Sequence, residues 1–243
     1  MQIIKLNATD STNLYLKDLM NSKPVSDYTV VMADVQLKGR GQMGTNWDAE
    51  PGKNLTFSVL KKLDKIELPN IFILNICVSL AIYHTLSKLN VPNLKIKWPN
   101  DILSGTSKIC GILIENMLLG NRVNASVIGI GLNINQTNFK GLPRVSSLKL
   151  LLGDHLSLDM VMGSILKDLE NTFLFYESNG ILQLKKEYDE LLFRKDKPST
   201  FQDIQGKMFM GFIRGVSDEG KLVVELEDEI TKNFNLKEIK LLY

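Results

Sequence analysis

Apolar and polar positions follow two periods along this chain, and the switches between them mark its elements. Gln2 to Leu6 is a short apolar-rich run, and Tyr28 to Ala33 (YTVVMA) is β-branched and apolar; both predict strands. Between them, Leu14, Leu16, Leu19 and Met20 give an imperfect helical stripe after Asp10-Ser11-Thr12, whose side chains are of the capping type. Asn54 to Leu60 (NLTFSVL) alternates as a half-buried strand does. Leu68 to Leu89 is long and largely apolar, with Pro69 near its start, and predicts a buried central helix that stops near Asn90 and Pro92. Short strands are expected at Leu94 to Trp98, Ile109 to Asn116 and Val123 to Leu132, the last two joined by a Leu-Gly-Asn turn ending at Asn121. Helical spacing returns at Val161, Ile165, Leu169 and Phe173 within Leu158 to Tyr176, and again over Leu182 to Phe193.

The pattern then changes. Arg194-Lys195-Asp196-Lys197-Pro198 is charged and turn-prone, and marks a boundary. Beyond it, KMFMGFIRGV, KLVVELE and TKNFNL read as short strands divided by Asp218-Glu219-Gly220 and Asp228-Glu229. So few residues hold little core of their own, so a small β-barrel or sandwich packed on the main domain is expected. The fold class is α+β: residues 1–195 as a mixed β-sheet domain flanked by helices, and residues 196–243 as the β-unit.

Composition narrows the function classes. The chain has 243 residues, 44% hydrophobic and 23% charged, with a formal net charge of +2. That is ordinary globular material without the basic run of a nucleic-acid binder. Cys77 and Cys110 sit in apolar surroundings and read as buried thiols, and neither His84 nor His155 has metal-ligand spacing. No GxSxG-type nucleophile is present. The N-terminus is not a signal peptide, and the most apolar run, Ile71 to Tyr83, is shorter than the roughly 20 residues that span a bilayer. No membrane is expected, and the cytoplasm is the default compartment.

Four passages carry candidate chemistry. In KGRGQMGTNWD, Lys38 to Asp48, glycines expose backbone N–H groups to an anion, Arg40 adds a donor fork, and Trp47 offers a face for stacking. The loop is neither a Walker loop nor a dinucleotide fingerprint, because no Gly-Lys-Ser/Thr follows and a strand, not a helix, comes next. In KWPND, Pro99 biases Trp98 to an extended form and makes a corner carrying Lys97, Asn100 and Asp101. Asp101 is a candidate Mg²⁺ contributor, since Mg²⁺ takes one or two carboxylates beside phosphate oxygens. In SKICGILIEN, Lys108 precedes an apolar strand and Gly111 permits close approach. In IGIGLNIN, Gly129 and Gly131 imply close packing of backbone or ligand, and Asn133 supplies a donor and an acceptor.

In order, DSTN at 10–13, GRGQxGxxW at 39–47, KWPND at 97–101, KICGIL at 108–113 and GLNIN at 131–135 resemble the biotin protein ligases over most of the chain. The resemblance implies the mixed-sheet fold of class II synthetases and biotinyl–lipoyl ligases, with a small C-terminal SH3-like β-barrel. It implies a ligase that binds ATP with Mg²⁺ and activates biotin as biotinyl-5′-AMP. The acyl-adenylate then passes biotin to a lysine of the biotin carboxyl carrier protein of acetyl-CoA carboxylase.

Carried over by motif, Ser11, Thr12, Asn13 and Gln36 would hold biotin's ureido head. Gly39, Arg40, Gly41 and Gln42 would wrap its carboxylate and the phosphate, and Gly111 would leave the ligand room. Arg40 and Lys108 would be the catalytic cations, with Trp47, Lys97, Asn100, Asp101 and Asn133 on the ATP side. Gln42 and Thr45 depart from the family's more common arginines, which leaves open how the pyrophosphate is held. Residue 10 leaves no space before DSTN for a DNA-binding domain, so ligase without DNA binding is expected; a homodimer through sheet edges stays open. A biotin-binding module without catalysis and a lipoate ligase are the alternatives. Arg40 with Lys108 favours catalysis over the first, and KWPND with GRGQMG favours biotin over the second.

Overall fold

A computed structural model describes residues 1–67, 70–120, 122–139, 141–227 and 229–243. Leu68, Pro69, Asn121 and Asp228 therefore lie outside the described residues, and with them the expected helix start, one hairpin turn residue and one strand divider.

The main sheet has seven strands. They are β1 (Ile3–Thr9), β2 (Val30–Gln36), β3 (Leu55–Glu67), β4 (Leu94–Lys97), β5 (Asp101–Ser104), β6 (Ser107–Leu119) and β7 (Arg122–Leu132), in the order β1-β2-β3-β7-β6-β5-β4. Helix α1 (Thr12–Ser22) makes the crossover between β1 and β2, the parallel pair; the other neighbours are antiparallel. The sheet is mixed, as expected.

Its faces are covered unequally. Helix α2 (Ile73–Lys88) has buried residues all round, and with α4 (Leu158–Asn179) and α5 (Leu182–Leu191) it packs one face. Each fully buried Leu or Ile there contributes about 1.5–3 kcal/mol. The other face carries the smaller cluster of Leu16, Val31, Leu60, Ala125 and Val127 beneath α1. Helix α2 begins at Ile73, and Phe72 at its N-cap position packs edge-on against Tyr188. The four-residue β5 and the five-residue α3 (Leu148–Leu152) are too short for periodicity to reveal.

Strands β8 (Pro198–Asp203), β9 (Met208–Val216), β10 (Leu222–Leu226), β11 (Thr231–Phe234) and β12 (Ile239–Leu242) form an antiparallel sheet ordered β11-β10-β9-β8-β12. Among the described residues no pairing joins β11 to β12, so the sheet is open where a closed barrel was expected. Phe201, Ile213, Val216, Leu222 and Val224 belong to the same core as α2, so this sheet shares the main hydrophobic interior. The Trp98 indole N–H donates to Gly220 O at 2.9 Å and links the KWPND corner to it.

Candidate active site

The site is a hollow where side chains stop. On β7, Ala125 and Val127 fill the space under α1; the next two residues on that face are Gly129 and Gly131. Gly131 pairs with Gly111 on β6, and Gly129 pairs with Leu113. A Cβ at Gly129 would lie 2.5 Å from Asn13 Oδ1, and one at Gly131 would run into the Trp47 indole. One at Gly111 would lie 3.2 Å from Lys108 Nζ. Asn13 and Trp47 thus require glycine at 129 and 131, while at Gly111 a Cβ would press on Trp47 at 3.0 Å and on the flexible end of Lys108.

The start of α1 forms one wall. Ser11 occupies the N-cap position with extended backbone, but its side chain makes no capping bond, contrary to the expected capping role. Gln36 Oε1 instead accepts from Thr12 N at 2.9 Å and from Thr12 Oγ1 at 3.1 Å. Buried Ser58 is within 2.7 Å of Thr12 Oγ1 and 2.6 Å of Asn13 Oδ1. Asn13 Nδ2 donates to Glu115 Oε2 at 2.8 Å, and Lys17 Nζ donates to Glu115 Oε1 at 2.7 Å. Burial alone would raise the Glu115 carboxyl. The hydrogen bonds from Lys17 and Asn13, with the charges of Lys17 and Arg40, outweigh it and hold the pKa below the ordinary value.

The glycine loop closes on itself over the hollow. Arg40 and Asn46 form an isolated antiparallel bridge, Gly41 N donates to Thr45 O at 2.7 Å, and Trp47 N donates to Gly39 O at 3.0 Å. Gln42–Gly44 make one 3₁₀ turn at the tip. Arg40 Nη2 is 3.6 Å from Glu115 Oε2, and its side chain is 44% exposed, so the guanidinium keeps free donor capacity. Trp47 lies against Gly111 and Gly131. Among the described residues its buried Nε1 has no hydrogen-bond partner.

The KWPND corner forms the far wall, with a cis Trp98–Pro99 bond. Asn100 is stitched to β6 twice: Ile112 N donates to Asn100 O at 2.9 Å, and Asn100 Nδ2 donates to Ile112 O at 2.7 Å. That brings Asp101 beside Gly111 and within 2.7 Å of Lys108 Nζ. Lys97 Nζ is 3.8 Å from the other oxygen. Lys108 Nζ also stands 5.5 Å from the centre of the Trp47 ring.

These walls enclose a cavity of about 260 Å³. Ser11, Thr12, Asn13 and Gln36 line it on one side, Arg40, Gly41, Gln42 and Trp47 above, and Asn100, Asp101, Lys108 and Gly111 opposite. Gly39, Lys97 and Asn133 do not line it. Lys97 faces a second groove of about 1140 Å³ that shares Gln42, Thr45, Asp101 and Lys108 with the first. Asn133 is buried and its amide donates to Ser146 O at 3.0 Å, so it fastens the segment after β7. Ser58, Glu115 and Lys17 carry no local sequence signal; sheet register alone brings them here.

Among the described residues no cluster of three His, Cys, Asp or Glu side chains is placed to hold a metal. Cys110 is buried and its thiol pKa is raised by that burial, consistent with an inert packing role. No helix is long and apolar enough to cross a membrane among the described residues.

The family model described as the Biotin/lipoate A/B protein ligase family matches residues 6–133. The bifunctional ligase/repressor BirA of Bacillus subtilis is 28% identical over 96% of this chain and 72% of its own length. A biotin--[acetyl-CoA-carboxylase] ligase of Mycobacterium tuberculosis is 26% identical over 90% of this chain and 81% of its own. Among solved structures, a biotin protein ligase from Aquifex aeolicus in complex with biotin and ATP superposes with a TM-score of 0.83. It is 24% identical and covers 99% of this chain and 98% of its own. A biotin protein ligase from Leishmania major in complex with biotinyl-5-AMP gives 0.63 at 19% identity, over 97% and 99%. At these identities the structures establish the shared fold.

Proposed function

Because the chain belongs to the biotin/lipoate A/B protein ligase family, we propose that it is an ATP-dependent biotin protein ligase acting on a biotin carboxyl carrier protein. The observation that carries this reading is one cavity in which Arg40, Lys108 and Trp47 converge on a glycine floor beside the Ser11–Asn13 wall.

In the first half-reaction a biotin carboxylate oxygen attacks the α-phosphorus of ATP. The bond from that phosphorus to the bridging oxygen breaks, and pyrophosphate leaves. Two anions must be held together, and the N–H and ammonium donors around the cavity suit that task. Ser11, Thr12, Asn13 and Gln36 hold the ureido head, with the Thr12 hydroxyl and the Asn13 amide already oriented by Ser58 and Glu115. Arg40 and Lys108 take the reacting carboxylate and α-phosphate oxygens, and Gly39 and Gly41 keep the loop close. Trp47, Asn100, Asp101 and Lys97 serve the nucleotide side, with Asn133 supporting from behind. In the second half-reaction the neutral amine of a carrier lysine attacks the acyl carbon. The C–N bond forms, the amine sheds a proton, and AMP leaves with the bond electrons.

Mg²⁺ fits as an ion carried on the phosphates, because Asp101 is a single carboxylate already paired with Lys108 and Lys97. When bound, it would neutralise phosphate charge. The same reading includes a boundary at residues 195/196, an SH3-like role for the C-terminal sheet and a cytoplasmic setting.

The test is transfer of labelled biotin to a carrier domain with ATP and Mg²⁺. Transfer is expected. Tight biotin binding without adenylate would replace the reading with a binding module. Adenylation of lipoate in preference to biotin would move the chain to the other branch of the family.

A further inference from the structure

The second groove runs between the KWPND corner, the segment before α3 and the C-terminal sheet, and its charge is one-sided. Lys97, Lys108, Arg144, Lys237 and Lys240 line it, against Asp101 as the carboxylate. It meets the first cavity at Lys108, where the α-phosphate would react. It also meets it at Gln42 and Thr45, two loop positions whose side chains carry no charge.

Arg144 is built into this place. Lys108 N donates to Arg144 O at 2.8 Å, Ser146 N donates to Lys108 O at 3.0 Å, and Lys108 pairs with Val145 as a parallel bridge. The backbone of Arg144 is left-handed, with φ of 59°, which a non-glycine residue holds only where neighbours fix it. Its guanidinium lies 4.8 Å from the centre of the Tyr243 ring, and Lys97 Nζ lies 5.3 Å from the same ring. One aromatic ring thus gathers two cations at the groove wall. The cation–π contact places the guanidinium over the ring, and its N–H donors suit a planar or tetrahedral anion.

Resting on the proposed adenylation, we infer that Arg144, held over the Tyr243 ring and flanked by Lys97, binds the β- and γ-phosphates of ATP and the departing pyrophosphate. It supplies from the opposite wall the charge that Gln42 and Thr45 cannot. When the bond from the α-phosphorus to the bridging oxygen breaks, the electron pair stays on the pyrophosphate, and the charge gathers in this groove.

The test is calorimetric titration of the biotin-free chain with inorganic tripolyphosphate. Asparagine tolerates left-handed backbone, so Arg144→Asn removes the charge and spares the turn. The wild type should bind, Arg144→Asn should bind about tenfold or more weakly, and Arg144→Lys should fall between, since it keeps charge without the fork. Tyr243→Leu should move in the same direction. In adenylation assays Arg144→Asn should raise the KM for ATP while biotin affinity holds. Equal tripolyphosphate affinity in wild type and Arg144→Asn, or no binding by the wild type, overturns the inference. So does a parallel loss of biotin affinity in both Arg144 variants, which would mark a role through the fold. If the wild type forms no biotinyl-5′-AMP yet binds tripolyphosphate through Arg144, the anion site stands and the proposed activity falls.

Discussion

The Asn13 amide and the Glu115 carboxylate, 102 positions apart in the chain, meet at 2.8 Å across the cavity floor. This contact fixes the orientation of the amide: its nitrogen is turned to Glu115 and its oxygen to Ser58.

Glu115→Gln should therefore loosen Asn13 and release Arg40 together. Biotin affinity is expected to fall by about tenfold, the scale of one charge-assisted hydrogen bond. Calorimetry on the variant checks this, and unchanged affinity would remove Glu115 from the site.

The same carboxylate gives a pH signature. Its folded pKa lies below the unfolded value, so its stabilisation is present above the ordinary carboxylate pKa and is lost as pH falls through the depressed folded one. Urea midpoints followed from about pH 7 to about pH 3 should fall less steeply for Glu115→Gln than for the wild type. Parallel curves would contradict this.

Lys108→Ala should cut adenylate formation by at least about tenfold, since a charge-assisted contact is worth roughly 1.5–3 kcal/mol. Removing Lys108 also leaves Asp101 beside the cavity with the more distant Lys97. Single-turnover formation of biotinyl-5′-AMP measures the effect, and a wild-type rate would take Lys108 out of the chemistry.

Gly131→Ala places a methyl group where the Trp47 indole lies. Overpacking of this kind costs about 1–3 kcal/mol. The Trp47 emission should shift, which is readable because the chain has only two tryptophans. Trp47→Ala in the same chain should relieve the stability cost, and simple additivity of the two changes would show that they do not touch.

The loop from Lys38 to Asp48 should order on ligand. Its own bonds are few, and its glycines lose more conformational freedom than other residues when fixed. Trypsin cleavage after Lys38 or Arg40 should slow with biotin and ATP present; equal rates with and without them would refute the idea.

Much of this was legible in the sequence because glycine, proline and charge punctuate it. Gly111, Gly129 and Gly131 mark the floor, and the loop's Arg40 and the corner's Asp101 lie in motifs that can be read locally. Ser58 and Glu115 could not be read that way, since each is an ordinary strand residue until register sets it against Asn13. Ser11 has the residue type of a cap, yet Gln36 takes over the helix N–H and leaves that hydroxyl at the cavity. The motif of Asn133 points to a ligand contact, and its amide nitrogen donates to Ser146 O. Arg144 lies in a segment without periodicity, and only the bridge to Lys108 reveals where it stands.

The bond from Trp98 to Gly220 gives the corner two obligations at once. One side of it presents Asn100 and Asp101 to the cavity, and the other carries the second sheet. A chain whose C-terminal sheet is exchanged for that of a distant relative should lose adenylation with every cavity residue intact. The corner works as a shared joint: one indole hydrogen bond ties the cavity's far wall to the second sheet.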